Sequence, residues 1–232
     1  MDLQRQYEDD FALTQQFAIV TFMNKVYAWM TVGLVITALT AFTINTMQIP
    51  VSPPLMMVSL LGTVGLVFFL SWSAQRLPAT VAIGGYLLFA ALEGIFFSLV
   101  FLLYPMATIS MTFFVTAGVF GTMAIYGTIT KKDLTGVGTL CFMGLIGILL
   151  AILAQVLVGV VFGIPTGQFN LIISIAGVVI FIGFTAYDAQ KIKQMSLAGE
   201  TSTGLAIAGA LALYLDFINL FLFLLRIFGS RD

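Results

Sequence analysis

An all-α polytopic membrane protein, built as a seven-helix bundle, is the fold class that three features of this sequence predict. The first is composition: of 232 residues, 60% are hydrophobic and 8% charged, and the mean hydropathy is +1.11. That is the balance of a membrane protein and not of a water-soluble domain. The second is run length: the apolar stretches approach or exceed the ~20 residues a helix needs to cross ~30 Å of hydrocarbon. They are too long and too continuously apolar for barrel strands. The third is the spacing of breaks, which leaves seven such stretches and no room for a separate soluble domain.

Residues 1–24 form an acidic cytosolic tail, polar through MDLQRQYEDDFALTQQ and becoming helical toward QFAIVTFMNK. It is not a signal peptide, which needs a basic start and an apolar core. Residues 25–232 form the seven-transmembrane domain. Its first span is Val26–Thr46, ended by INTMQIPVSPP, where Pro50, Pro53 and Pro54 cannot continue a helix. The second is Leu55–Ser73, closed by AQRLP; the third is Ala79–Leu103, ending at Tyr104-Pro105. The fourth is Ala107–Ile129, ending at TKKDLTG, and the fifth is Gly138–Phe162, ending at GIPTGQ. The sixth covers Phe169–Tyr187 and continues to Gln194. The seventh is Gly204–Phe228.

Charge orients the spans. The loops after spans one, three and five carry no charged residue, whereas those after two, four and six carry Arg76, then Lys131 and Lys132, then Lys191 and Lys193. Basic loops favour the cytoplasm, so these loops and the N-terminus are expected inside. Seven full crossings then put the C-terminus outside, with Arg226 and Arg231 against the rule; the alternative is a last segment that re-enters without crossing, and the unbroken 25-residue run from Gly204 to Phe228 favours the full span.

Composition also excludes chemistries. There is no histidine, which removes Ser-His and Cys-His triads and every imidazole site. The single cysteine, Cys141, can form no intrachain disulfide and reads as a small apolar filler. A net charge of −1 offers nothing to nucleic acid. No cofactor is implied. Glycines within spans (Gly84, Gly85, Gly118, Gly121, Gly144, Gly147, Gly177, Gly183) read as places where helices approach closely.

Three carboxylates fall inside spans: Glu93, Asp188 and Asp216. At 1.5 Å per residue, Glu93 stands ~21 Å into span three, Asp188 ~9 Å from the end of span six and Asp216 ~18 Å into span seven. The two aspartates therefore reach one level on antiparallel neighbours. They also share a pattern. Gly209, Ala212, Asp216, Asn219 and Phe223 line one stripe of the last helix, and Ser174, Gly177, Phe181, Thr185 and Asp188 line one of the sixth. Two carboxylates in contact cannot both ionise cheaply, so they share a proton. Protonated and hydrogen-bonded, such a pair holds two helices together; deprotonated, it repels itself or takes a cation such as Ca²⁺ through hard oxygen ligands. The plainer alternative is that each aspartate pairs with a base such as Arg76 or Arg226. Glu93 reads either as a polar packing contact or as an outer cation site.

The runs ALYLDFINLFLFLLRIFG (212–229), GFTAYDAQKIK (183–193) and YGTITKKDLTG (126–136) resemble the transmembrane Bax inhibitor motif family, most closely its bacterial inner-membrane members. The likeness begins near KVYAWMTVGL (25–34) and covers nearly everything but the tail. It implies a central last helix between two three-helix layers and a pH-sensitive Ca²⁺ leak gated by a diaspartyl pair, matched here by Asp188 and Asp216. Relatives can latch the first aspartate with an arginine cluster after the second helix; here that region reads SWSAQRLP, with Arg76 alone. Some relatives modulate a membrane-bound AAA protease. That makes a non-conducting regulator the alternative function, with Glu8, Asp9 and Asp10 of the tail as a contact element. An intramembrane aspartyl protease fits poorly, because Asp216 follows Leu213-Tyr214-Leu215 without a glycine-flanked turn or a Pro-Ala-Leu element. A retinal-type receptor lacks its lysine in the last helix.

Overall fold

The structure, a computed structural model, describes residues 2–74, 76–162 and 169–229, with side chains described from residue 13 onward except at 160. The segment GIPTGQ (163–168), Arg231 and the side chains of Glu8, Asp9 and Asp10 lie outside the described residues. The described residues form seven helices in the order α1 (Asp2–Thr46), α2 (Pro53–Ser73), α3 (Ala79–Leu103), α4 (Met106–Ile129), α5 (Thr135–Phe162), α6 (Asn170–Leu197) and α7 (Thr203–Phe228). All seven contain a stretch long and apolar enough to cross a membrane. The largest departure from the expected elements is at the N-terminus, where α1 is helical from Asp2. The polar stretch carries no proline or glycine to break it, so the helix runs on beyond the apolar span.

Turn chemistry sets the boundaries. Pro53 and Pro54 occupy the first turn of α2 behind Ser52, where a missing N–H costs nothing. Gly199, at φ +78°, stops α6 in a Schellman motif: its N–H donates to Ser196 O at 3.0 Å, and the Glu200 N–H to Met195 O at 3.0 Å. The end of α1 repeats this geometry without a glycine. Gln48 has φ +50°, and the N–H groups of Gln48 and Ile49 reach Asn45 O and Ile44 O.

The chain divides into two compact units, one of residues 1–103 and 191–214 and the other of 104–190 and 215–232. In the first, α3 lies against α1 and α2. Its core is Val26, Tyr86, Phe89, Ala90, Ala210, Leu213 and Tyr214, each sealed from solvent. In the second, Phe217 of α7 sits between Phe113 and Phe120 of α4, both ring centroids 5.5 Å away. Gly127 of α4 meets the backbone carbonyl of Ala186 on α6 so closely that no side chain fits between them. The span glycines split by role. Gly85, Gly144, Gly177 and Gly183 are in close contact with another helix, whereas Gly84, Gly118, Gly121 and Gly147 have open space where a Cβ would stand.

Burial ranks the helices. In the most apolar window of α7, 72% of residues are buried, against 11% for α5 and 39% for α3. The last helix is thus the core element, as the resemblance implied. The outward faces of the others carry large exposed apolar side chains such as Trp72, Phe68, Phe114 and Leu140, as a bilayer solvent requires.

Candidate functional site

The second unit brings Asp188 and Asp216 together. Asp216 lies 13 residues into α7, ~20 Å from its start and ~18 Å from its end, and is 4% exposed. Asp188 lies nine residues before the end of α6, ~14 Å along the axis, and is half-buried. Their carboxyls interact electrostatically and through a side-chain hydrogen bond. The second Asp216 oxygen, Oδ2, is buried and makes no hydrogen bond. The expected stripe on α6 points inward as a whole: Ser174, Gly177, Phe181 and Thr185 are all buried. Its hydroxyls are turned back onto their own helix, Ser174 to Asn170 O and Thr185 to Phe181 O, each at 2.7 Å. Gly177 lets the Phe223 ring of α7 lie against the α6 backbone, and Phe223 stacks on Phe181 at 5.9 Å. Small and aromatic residues therefore close one side of the pair with apolar surface.

The Asn219 amide donates to Leu215 O at 2.8 Å within α7. Arg226 is exposed, in the last turn of α7, its guanidinium 5.8 Å from the Phe223 ring centre. It is ~15 Å along the axis from Asp216. Arg76 is exposed in the connection between α2 and α3, in the first unit. Glu93 is also in the first unit, half-buried near the middle of α3. Cys141 is buried and lies against Gly183.

Gln190 is the residue that the sequence reading passed over. It is 7% exposed, two positions after Asp188. Its Oε1 accepts the Leu134 N–H at 2.8 Å, and its Nε2 donates to Lys132 O at 2.8 Å. A helix start leaves its first N–H groups unpaired. Gln190 takes one for α5, and Asp133 takes the next: its Oδ1 accepts the Thr135 N–H at 2.9 Å and the Thr135 hydroxyl at 2.6 Å. The available signal was the line Gly183–Ala186–Gln190 at i, i+3, i+7. These residues meet Cys141 of α5, Gly127 of α4 and the 132–134 turn in succession. The aspartate of α6 is thus held by a helix pinned at three points.

As ligands, the two aspartates offer at most four carboxylate oxygens. Among the described residues no group of three or more Asp, Glu, Cys or His side chains comes together. Ca²⁺ takes 6–8 oxygens, so backbone or water oxygens would complete a shell here.

The model of a protein family described as "Inhibitor of apoptosis-promoting Bax1" matches residues 19–232. Inner membrane protein YbhL of Escherichia coli strain K12 is 41% identical over 232 residues, covering 96% of this chain and 97% of the relative. An uncharacterized protein of Deinococcus radiodurans is 41% identical over 233 residues, covering 95% and 96%. One of Borreliella burgdorferi is 38% identical over 219 residues, covering 90% and 92%.

Proposed function

This chain belongs to the Bax inhibitor family, and on that premise we propose that it is a pH-sensitive Ca²⁺ leak of the bacterial inner membrane, gated by Asp188 and Asp216. The observation that carries the reading is the contact between the two carboxyls, one of them sealed in the middle of the most buried helix. An ionisable group at that depth is costly and marks ion or proton paths. With one shared proton the pair is a single hydrogen-bonded unit tying α6 to the second half of α7. With the proton gone, two like charges sit in apolar surroundings and must separate or admit a cation. Protons and Ca²⁺ then compete for the same oxygens, which supplies pH sensitivity without histidine. The lipid bilayer is the other partner, and the basic loops support an orientation with the N-terminus in the cytoplasm and, after seven crossings, the C-terminus outside.

The test is Ca²⁺ flux into dye-loaded liposomes carrying the purified chain. Wild type should leak at a rate that changes across the neutral pH range. Asp188→Asn and Asp216→Asn should each flatten that dependence, because an amide cannot exchange the shared proton. Variants that follow the wild-type pH curve would remove the pair from the gate.

A second reading, a non-conducting modulator of a membrane-bound AAA protease, draws on one observation. The N-terminal turns of α1 present Leu13, Phe17 and Val20 exposed at 51%, 71% and 56%, a stripe that a protein partner could cover. Deleting residues 1–20 separates the readings, since a modulator loses its effect on the protease while a leak keeps its flux.

A further inference from the structure

The second unit holds a cavity that the aspartates do not use. Helices α5 and α6 are in close contact in the halves nearer the Lys131–Lys132 turn: Gly138 lies against the Tyr187 ring, Gly183 against Cys141 and Gly144 against Ile180. Farther along, the same faces part. Two turns on from Gly144 stands Ala151, and two turns back from Ile180 stands Ile173. Between them is a wedge of about 400 Å³, lined by Ala151, Ala154, Gln155 and Val158 of α5 and by Ile172 and Ile173 of α6. The four α5 residues recur at i, i+3, i+4 and i+7, one face of the helix. Alanine at two of the four positions leaves the space open.

Depth identifies the surroundings. Helix α5 begins at Thr135, directly after the exposed Lys131, Lys132 and Asp133. Gln155 is ~30 Å farther along the axis, which is also the thickness of the hydrocarbon, ~30 Å. The Gln155 amide donates to Asn170 Oδ1 at 3.5 Å, at the first residue of α6. These two amides therefore mark the far polar boundary of the bilayer. Ala151, Ala154, Ile172 and Ile173 lie just inside it, at the level of the acyl chains.

The same lining selects the occupant. A buried water needs 2–4 polar partners, and Gln155 is the one polar side chain among the lining residues. An empty void forfeits dispersion contacts along its walls. A helix of a second copy, 10–12 Å across, fills roughly 800 Å³ over the ~10 Å from Ala151 to Val158, about twice the space present. A single alkyl chain fits both the volume and the apolar walls. The wedge is also continuous with the lipid-facing surface through Leu153 and Leu157 of α5 and Leu171 and Ile175 of α6, all exposed. A lipid chain enters it without leaving the bilayer.

We propose that the α5–α6 wedge binds one acyl chain of a phospholipid from the leaflet opposite the Lys131–Lys132 turn, with the ester end of the lipid level with Gln155 and Asn170. The chain fills the gap beside the two alanines, so α5 packs on lipid where it no longer packs on α6. The site goes beyond the proposed gate and is separate from it, since Ile172 stands ~24 Å along α6 from Asp188.

Photo-crosslinking of the full chain tests this. The chain is reconstituted in phosphatidylglycerol that carries a diazirine near the ester end of one acyl chain. It is then washed into detergent to strip the surrounding lipid, and illuminated. The expected result is a single lipid adduct per chain, mapped to the stretches 151–158 and 171–175 and not to the exposed Phe68 and Trp72 of α2. No adduct in the wild type, or one spread equally over α2, would overturn the site without recourse to any variant. Ala151→Phe fills the wedge and should cut the adduct by at least about tenfold, whereas Leu153→Phe, on the outward face, should leave it. An undiminished adduct in Ala151→Phe would overturn the assigned position. Native mass spectrometry of the chain purified from its own membrane gives the mass of the retained molecule. A phospholipid mass is expected, and a second copy of the chain or a mass that is not a phospholipid would overturn the assigned occupant.

Discussion

Replacing Gln190 with leucine should free the first turn of α5 while leaving both aspartates in place. The parent amide makes two hydrogen bonds, to Leu134 N–H and Lys132 O, both at 2.8 Å. Leu134 is 6% exposed, so its N–H is left without a partner and without ready access to water, at about 1–3 kcal/mol. Lys132 is exposed, so its carbonyl is rehydrated and only the net bond is lost, about 0.5–1.5 kcal/mol. The apolar surface that leucine buries at this 7% exposed site returns about 1 kcal/mol. The balance is a local destabilisation of about 2 kcal/mol. At 1.4 kcal/mol per factor of ten, that is roughly a 30-fold rise in opening. Amide hydrogen exchange of the segment 131–136, in the full chain in nanodiscs, reads it directly. Gln190→Glu provides the control, because it keeps an acceptor for Leu134 N–H and loses only the donor to Lys132; it should retain protection at Leu134. Exchange in Gln190→Leu within about twofold of the parent would refute the assignment of Gln190 as the clamp.

The remaining predictions concern the same unit. Gly127→Ala sets a Cβ against the backbone carbonyl of Ala186, which cannot rotate aside, and should cost about 1–3 kcal/mol or more. Gly121→Ala, with nothing within 4 Å, should stay within about 0.5 kcal/mol; thermal unfolding of the two in detergent compares them. Asp133 in the α4–α5 connection is held below the usual carboxylate range by the Thr135 hydroxyl and then by the Thr135 N–H. Its cap is therefore present above the ordinary aspartate value and lost as pH falls through the lowered one. Exchange at the start of α5 should accelerate on acidification over that window, and Asp133→Asn should not show the step.

Seven spans were legible because bilayer thickness fixes run length and because proline, glycine and charge mark the breaks. The end of α3 at Leu103 follows from residue type alone, whereas α2 starts two residues before the expected Leu55, because Pro53 and Pro54, which cannot continue a helix, fit its first turn. The α1 N-terminus was less legible, since a polar run with no breaker is compatible with a tail or with a helix. The depth of Asp188 and Asp216 and their shared stripe followed from the 3.6-residue period, which needs no partner to be known. Gln190 did not follow, because its partners lie on a turn 56 and 58 residues earlier in the chain and no local pattern encodes them. The separate roles of the glycines were hidden for the same reason. Gly144 and Gly147 have identical local signatures, yet one meets Ile180 and the other meets nothing.

For the last helix the division is sharpest. Sequence determined that a chain crossing hydrocarbon must carry Asp216 near the middle of its final span, since length and apolar content leave that span no other place. Tertiary structure decided what that carboxyl meets: Asp188 at one oxygen and no hydrogen-bond donor at the other. It also decided that Tyr214, two residues earlier, joins Thr37 in the other unit. The reason is angular. Neighbours two apart on a helix point ~200° from one another, so adjacent letters serve different surroundings, and only the packing of the other helices says which.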